Sequence, residues 1–325
     1  MPRATLFLPD LSISNVRTLA DISADYPQLA RVLARAELAA FSGPLEYALC
    51  SLFTHTAPFA IAHYTAIYDL GSATDDLIRC DPVHLHADPN KVLLMGPDHF
   101  DLNDAEADGL LARLQREFPG MDWCRGKSPT RWYMRRPPEL AADGPSTAWL
   151  SGRSLTPFVP TDAAHRDLRR WLNDIQMVLH ADPVNLARAS RGALPINGAW
   201  LFGYGRPVAS SVTAVAIGND ALLAGLAKQH QLPHEFAADP ADVARGTRDL
   251  IIVVGGGFGV ADPTCEGVTL KMLDNLWMPA LIAALRRGQL DAVDMYTAGH
   301  IAHVSWRHSW RVWRKPIRLE RQHPR

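Results

Sequence analysis

The run Cys80-Asp-Pro-Val-His84-Leu-His86-Ala-Asp88 sets two imidazoles two residues apart, so an extended strand aims both at one face with a thiol and carboxylates nearby. That is the chemistry of a metal edge. The pattern supplies no spacing for a third ligand, and hydrogen-bonded surface histidines account for the same residues. In Leu250-Ile-Ile-Val-Val-Gly255-Gly-Gly257-Phe-Gly259 a buried-strand run meets glycines whose backbone N–H groups can approach a phosphate. The dinucleotide fingerprint is incomplete, because its third small residue falls at Val260 and Asp262-Pro263 interrupts the helix that would follow. A plain turn is the preferred reading. Neither Gly-x-Ser-x-Gly nor a P-loop occurs, and the carboxylates are too scattered to name an acid and base from spacing.

The last 21 residues hold seven Arg or Lys and one Glu, a balance of +6, which leaves −7 on the remaining 304 residues of a chain whose total is −1. Trp306, Trp310 and Trp313 stand at i, i+4 and i+7 with Arg307, Arg311, Arg314 and Lys315 between them. Such a stretch can stack bases and neutralise phosphates. The preferred expectation is that the tryptophans cover the core while the arginines face water.

The densest concentration of site-like residues is His180-Ala-Asp-Pro183-Val184-Asn185-Leu-Ala-Arg188, followed by Gly192, Pro195, Asn197, Trp200 and Gly203-Tyr-Gly205. Asn185, Arg188 and Asn197 can present donors to phosphate or carboxylate oxygens. Gly203 and Gly205 let a loop approach a ligand closely. The alternative is that Asn and Pro cap helices and Gly-x-Gly follows a strand.

The elements that must position these residues follow from periodicity. Short β-type runs occur at Ala4–Leu8, Lys91–Met95, Ala199–Phe202, Ser211–Ile217 and Leu250–Val254, with helical periods between them, which predicts an α/β fold: a three-layer sheet with helices on both faces. Leu168, Trp171, Leu172, Ile175 and Leu179 mark a helix that starts after Pro160, capped by Thr161 or Asp162, and ends near His180 before Pro183 begins another. Residues 268–287 are helical in period, with Gly288 as a C-cap and Pro279 forcing a kink or a second start. Turn-rich stretches at 119–130, 136–157 and 231–248 break the chain. The middle one separates an N-terminal α/β part, 1–140, from a C-terminal α/β part, 151–325, as two domains or as halves of one domain 1–325.

At 325 residues, 47% hydrophobic and 21% charged, the chain is globular and supports a sizeable core. Its near-neutral balance gives no whole-molecule field for nucleic acid or membrane, so any such binding needs a local patch. The four cysteines form no C-x-x-C pair, and no apolar run reaches the roughly 18–20 residues of a bilayer span. A reducing, cytoplasmic setting is the expectation, with no membrane partner and nucleic acid as the lesser reading.

The segment 180–205 resembles the H-P-V-N-x-x-R…G…P-x-N…G-x-G stretch of archaeal-type cofactor-independent phosphoglycerate mutases. Together with Asp81-Pro-Val-His-Leu, Arg131-Trp-Tyr-Met and Leu276-Trp-Met-Pro-Ala-Leu…Arg287-Gly-Gln-Leu, it looks more closely like the RpfE-type bacterial regulatory proteins. The RpfE-type likeness runs over most of 75–316, the mutase likeness mainly over 165–275. The mutase resemblance implies an alkaline-phosphatase-like core, two divalent metal ions (Mn or Zn) and a serine phospho-acceptor. The chain departs from that pattern at the ligands. The opening Asp-Gly reads Pro9-Asp10-Leu11, no phospho-acceptor serine can be placed after it, Asp262-Pro-Thr-Cys265-Glu-Gly267 lacks the imidazole, and the terminal Asp-His pair has no counterpart.

The expectation is therefore a degenerate mutase-like scaffold without cofactor, serving as a non-catalytic regulatory or binding protein for a small phosphorylated ligand or a partner protein. His180, Asn185, Arg188, Asn197, Gly203 and Gly205 are its ligand-binding candidates. The alternative, a working metal-dependent phosphoglycerate mutase or related phosphotransferase, must recruit Asp10, His84, His86, Asp262 and His300 as ligands.

Overall fold

The computed structural model describes residues 1–13, 21–55, 57–89, 91–137, 144–159, 161–162, 165–240, 247–255, 258 and 267–321. The chain packs as two compact units, Met1–Thr54 with Ala209–Arg325, and His55–Val208. The break expected between 140 and 151 lies inside the second unit.

The first unit opens with β1 (Arg3–Ile13), α1 (Pro27–Arg35), β2 (Glu37–Ala40) and α2 (Leu45–Ser51). The second unit then contributes α3 (Ile61–Asp69), β3 (Leu77–Asp88), β4 (Lys91–Met95), α4 (Asp104–Glu117), β5 (Cys124–Arg125), β6 (Trp132–Arg135), α5 (Thr147–Leu150), β7 (Arg153–Ser154), α6 (Arg166–His180), α7 (Pro183–Ser190) and β8 (Gly198–Phe202). Back in the first unit come β9 (Ala214–Ile217), α8 (Ala221–Gln229), β10 (His234–Glu235), β11 (Asp249–Val253), α9 (Leu270–Met272), a π-turn (Leu273–Trp277) and α10 (Met278–Arg286). That unit closes with β12 (Ala292–Ala298), β13 (His300–Ser305), α11 (Trp306–Ser309) and β14 (Leu319–Arg321).

In the first unit the strand order is β10-β9-β11-β1-β12-β13-β2, with β14 beside β1. The run from β10 to β12 is parallel. Parallel strands are buried on both faces, and the apolar runs Ala4–Leu8 and Leu250–Val254 meet that demand. Leu6 and Leu8 turn toward Leu29, Leu33, Trp277 and Leu281 of α1, the π-turn and α10, while α2 packs on β1 and β12 from the other face. No side chain of its own caps α1. Buried Asp274 of the π-turn instead accepts the Leu29 N–H at 2.7 Å, supplying one of the orphan helix-start donors.

The second unit holds a sheet of order β5-β6-β3-β4-β7, with β8 pairing β3 antiparallel. Its core gathers Ile78, Leu110, Leu114, Trp132, Ile175, Leu179 and Leu201. A reciprocal capping box between Asn103 and Glu106 starts α4.

The structure is thus α/β with helices on both sides of sheet, as expected. Some boundaries move. Helix α6 buries Leu168, Trp171, Ile175 and Leu179 as the spacing requires, but it begins at Arg166 after His165, whose Nδ1 meets Asp162 Oδ1 at 2.5 Å. The strand expected over 211–217 starts only at Ala214. At Pro279 a new helical segment starts, the second of the two outcomes expected there. Pro279 sits in the first turn of α10, and the preceding ladder widens into the π-turn, which accommodates the proline ring near the carbonyl four residues back. Gly288, at φ +70°, follows that helix as the predicted cap.

Candidate functional site

Three of the side chains singled out above, His84, Asn185 and Arg188, converge in the second unit on the chain from Leu194 to Ile196, just ahead of β8, and a fourth, Asn197, reaches from there to β3. Helix α7 starts at Pro183, with Asp182 accepting the Val184 N–H at 2.9 Å, and so aims Asn185 and Arg188 inward. Arg188 Nε donates to the Leu194 carbonyl at 2.9 Å. His84 Nδ1 lies 2.8 Å from the Pro195 carbonyl. Asn185 accepts the Ile196 N–H at 2.7 Å and donates to the Ile196 and Leu179 carbonyls at 2.8 and 2.7 Å. Asn197 exchanges both of its amide bonds with the Leu85 backbone of β3.

Arg188 is fully buried, and its Nη1 also pairs with Glu106 at 2.7 Å, while Arg191 holds the other oxygen of that carboxylate. The bonds that Asn185, Arg188 and Asn197 make are directed at the chain itself, while the buried Arg188 Nη2 is left without a hydrogen-bond partner. His180, exposed at the end of α6, takes no part. Gly203 and Gly205 admit close approach, but of the chain's own backbone: a Cβ on Gly205 would lie 2.7 Å from the Pro58 carbonyl and 2.8 Å from the Ala60 nitrogen.

Asp81 and Arg131, named above among the residues of the expected resemblance, belong to a buried charge network. Arg131 forks onto Asp69 at 2.7 and 2.8 Å, and the Tyr133 hydroxyl donates to the same carboxylate at 2.6 Å. Burial pushes the Asp69 carboxyl up, but Arg131 and Tyr133 outweigh it and hold it below the usual carboxylate range. Burial keeps the Tyr133 phenol protonated, well above its ordinary value. Arg79 forks onto Asp81, which also accepts from the Trp132 N–H and the Thr147 hydroxyl, each at 3.2 Å. Burial raises the Asp81 carboxyl against the pull of Arg79, while those donors all favour its ionised form. The two cations and two carboxylates cancel, as a structural ion-pair network should.

Sequence reasoning missed a third cluster. Ser151 Oγ lies 2.5 Å from Asp98 Oδ1 and 3.0 Å from His99 Nδ1, and it accepts the Gly96 N–H at 3.1 Å. The residue types are those of a hydrolase triad. The geometry is not, because hydroxyl and carboxylate both meet the same ring nitrogen, so the imidazole cannot relay a proton from one to the other. The separation of 52 residues between His99 and Ser151 left no motif to read.

In an open α/β sheet, ligands enter at the carboxyl ends of the parallel strands. In the first unit this edge carries Asp10 of β1, Gly255 after β11 and Gly218-Asn219-Asp220 after β9. Gly255, at φ +78°, leaves room for Asp10: a Cβ there would stand 2.8 Å from Asp10 Oδ2. Asp220 engages both of its oxygens. Oδ1 accepts the Leu222 and Leu223 N–H groups and Oδ2 the Phe258 N–H, at 2.9–3.0 Å. Phe258 meets Phe7 edge to face, and Phe7 stacks on Tyr296, so aromatic rings floor this end of the sheet.

The candidate ligands of a two-metal site are divided between the two units. Asp10 belongs to the first unit and His84 and His86 to the second, with His86 exposed and His84 turned to Pro195. His300 sits half-buried on β13, and Asp262 lies outside the described residues. Among the described residues, no group of three or more His, Cys, Asp or Glu side chains is arranged to hold an ion.

The C-terminal tryptophans overturn their expectation. Trp306, Trp310 and Trp313 are 52%, 49% and 75% exposed. The helix that would have turned them inward lasts a single turn, Trp306–Ser309, whose buried residues are His308 and Ser309 instead.

Comparison with known proteins gives matches among solved structures alone. No protein-family model and no curated protein matches the chain. The chain is similar to a cofactor-independent phosphoglycerate mutase from Thermoplasma acidophilum, at 13% identity and a TM-score of 0.37, over 94% of this chain and 89% of that one. It is also similar to the PH0037 protein of Pyrococcus horikoshii, at 12% identity and a TM-score of 0.47, over 98% and 86% of the two chains. Among the described residues, no helix is long and apolar enough to cross a membrane.

Proposed function

We propose that this chain is a non-catalytic regulatory or binding protein of the RpfE type, built on a phosphoglycerate-mutase-like scaffold. Its ligand is a small phosphorylated molecule or a partner protein, received at the carboxyl edge of the first unit's parallel strands. The observation that carries this reading is the use made of the mutase-like motif: Asn185, Arg188 and Asn197 hold the chain that enters β8. A motif kept for such bonds preserves a scaffold whether or not the chemistry survives.

The carboxylates support the same view. Phosphoryl transfer between two cations needs several ionised donors around one point. Asp220 is engaged with backbone N–H groups on both oxygens.

The test is interconversion of 2- and 3-phosphoglycerate by the purified chain, with Mn or Zn added and with chelator. The reading expects no turnover under any condition. Turnover that appears with metal and vanishes on chelation would replace it with the metal-dependent mutase.

A further inference from the structure

The exposed tryptophans stand on a basic platform. Arg35 Nη1 and Arg286 Nη2 both donate to the Ser309 carbonyl, at 3.2 and 2.8 Å, and the Arg286 guanidinium lies over the Trp310 ring at 4.5 Å. Arg314 reaches the Ala34 carbonyl at 3.4 Å. Burial and then the neighbouring Arg286 and Arg31 depress the Arg35 guanidinium, so cations here crowd one another. Part of this is helix-end chemistry, since α1 and α10 both finish at the platform and their last carbonyls attract arginine.

That account stops short of Arg31, Arg307, Arg314 and Lys315. Among the described residues, none of these four, nor Arg35 or Arg286, has a carboxylate within ion-pair distance, whereas Arg311 shares Glu37 with His308. Beyond the platform project Val312, 63% exposed, and Trp313, with Trp306 and Trp310 beside them.

We infer that this patch docks the protein on an anionic phospholipid surface, lying in the interface and not spanning it. Indoles favour the boundary between headgroups and acyl chains, and uncompensated arginines and lysine favour the negative headgroups. Charge complementarity sets the sign of the partner. The apolar content selects lipid over nucleic acid: exposed Val312 offers no ring on which a base can stack, and Arg286 already covers one face of Trp310. A symmetric contact with a second copy would bring like charges together. This replaces the expectation of no membrane partner with one local, peripheral contact.

The full chain tests it by flotation with vesicles of phosphatidylcholine alone or mixed with phosphatidylglycerol, alongside a single-stranded oligothymidine. Anionic vesicles should bind the chain, with a blue shift of tryptophan emission, and phosphatidylcholine vesicles should not. Added salt should weaken the binding. Trp313→Ala with Val312→Ser should weaken it by about tenfold or more. Arg314→Gln and Lys315→Gln should each weaken it by about fivefold. These side chains are exposed, and unchanged thermal unfolding confirms that the variants fold. Equal binding to both vesicle types, no binding to either, insensitivity to the substitutions, or tighter binding to the oligonucleotide would each overturn the inference.

Discussion

Asn197 and Leu85 exchange two hydrogen bonds: the Leu85 N–H donates to Asn197 Oδ1 at 2.6 Å, and Asn197 Nδ2 donates to the Leu85 carbonyl at 3.0 Å. The side-chain amide thus stands in for a strand backbone and extends the β3–β8 ladder past its last pair, Val83 with Gly198. Asn197→Ala leaves two backbone groups in need of partners and should lower unfolding free energy by roughly 2 kcal/mol in denaturant titration. Asn197→Asp should do no better at neutral pH, since a carboxylate cannot donate to the Leu85 carbonyl, and should recover in part below about pH 4.

Arg188 and Glu106 form a pair whose arginine is wholly buried. Removing one partner of such a pair is more damaging than replacing both by apolar groups. Glu106→Ala should cost about 3–5 kcal/mol, and Arg188→Met in that background should cost less than Arg188→Met alone. A double-mutant cycle by denaturant unfolding measures the coupling. Additive losses would mean the pair does not hold α7 against α4.

Tyr133 and Arg131 together keep the Asp69 carboxyl below its ordinary value after burial has pushed the other way. A carboxyl lowered on folding contributes stability that is present above its unfolded value, about 3.9, and lost as pH falls through the folded one. Tyr133→Phe removes one of the bonds that lower it. Its cost should be about 1.5–3 kcal/mol at pH 7 and should shrink as pH drops below about 4. Unfolding curves across pH 2–7 on both proteins check the sign.

Much of the fold was legible because it repeats locally. The spacing of Leu168, Trp171, Ile175 and Leu179 predicts the buried face of α6, and the apolar runs at 4–8 and 250–254 predict strands buried on both sides. What escaped depends on partners distant in the chain. Nothing around Asp69 announces Arg131, 62 residues on, and nothing around Ser151 announces His99. Asn185, Arg188 and Asn197 were visible as residues able to offer donors. What receives those donors, the chain from Leu194 to Ile196 and the Leu85 backbone, is set by how α7 and β3 pack. The tryptophans were misread for a related reason. Aromatic side chains usually lie inside, and spacing alone does not reveal that their helix ends after one turn.

The central proposal is that this chain works without a bound pair of divalent ions. Metal analysis tests it most directly. The purified chain is incubated with excess Mn or Zn, freed of loosely held ions by gel filtration, and measured by mass spectrometry for metal per chain. The account predicts substoichiometric metal, unchanged by Asp10→Asn. About two ions retained per chain, the complement that a two-metal phosphoryl-transfer mechanism requires, and lost on Asp10→Asn, would contradict it.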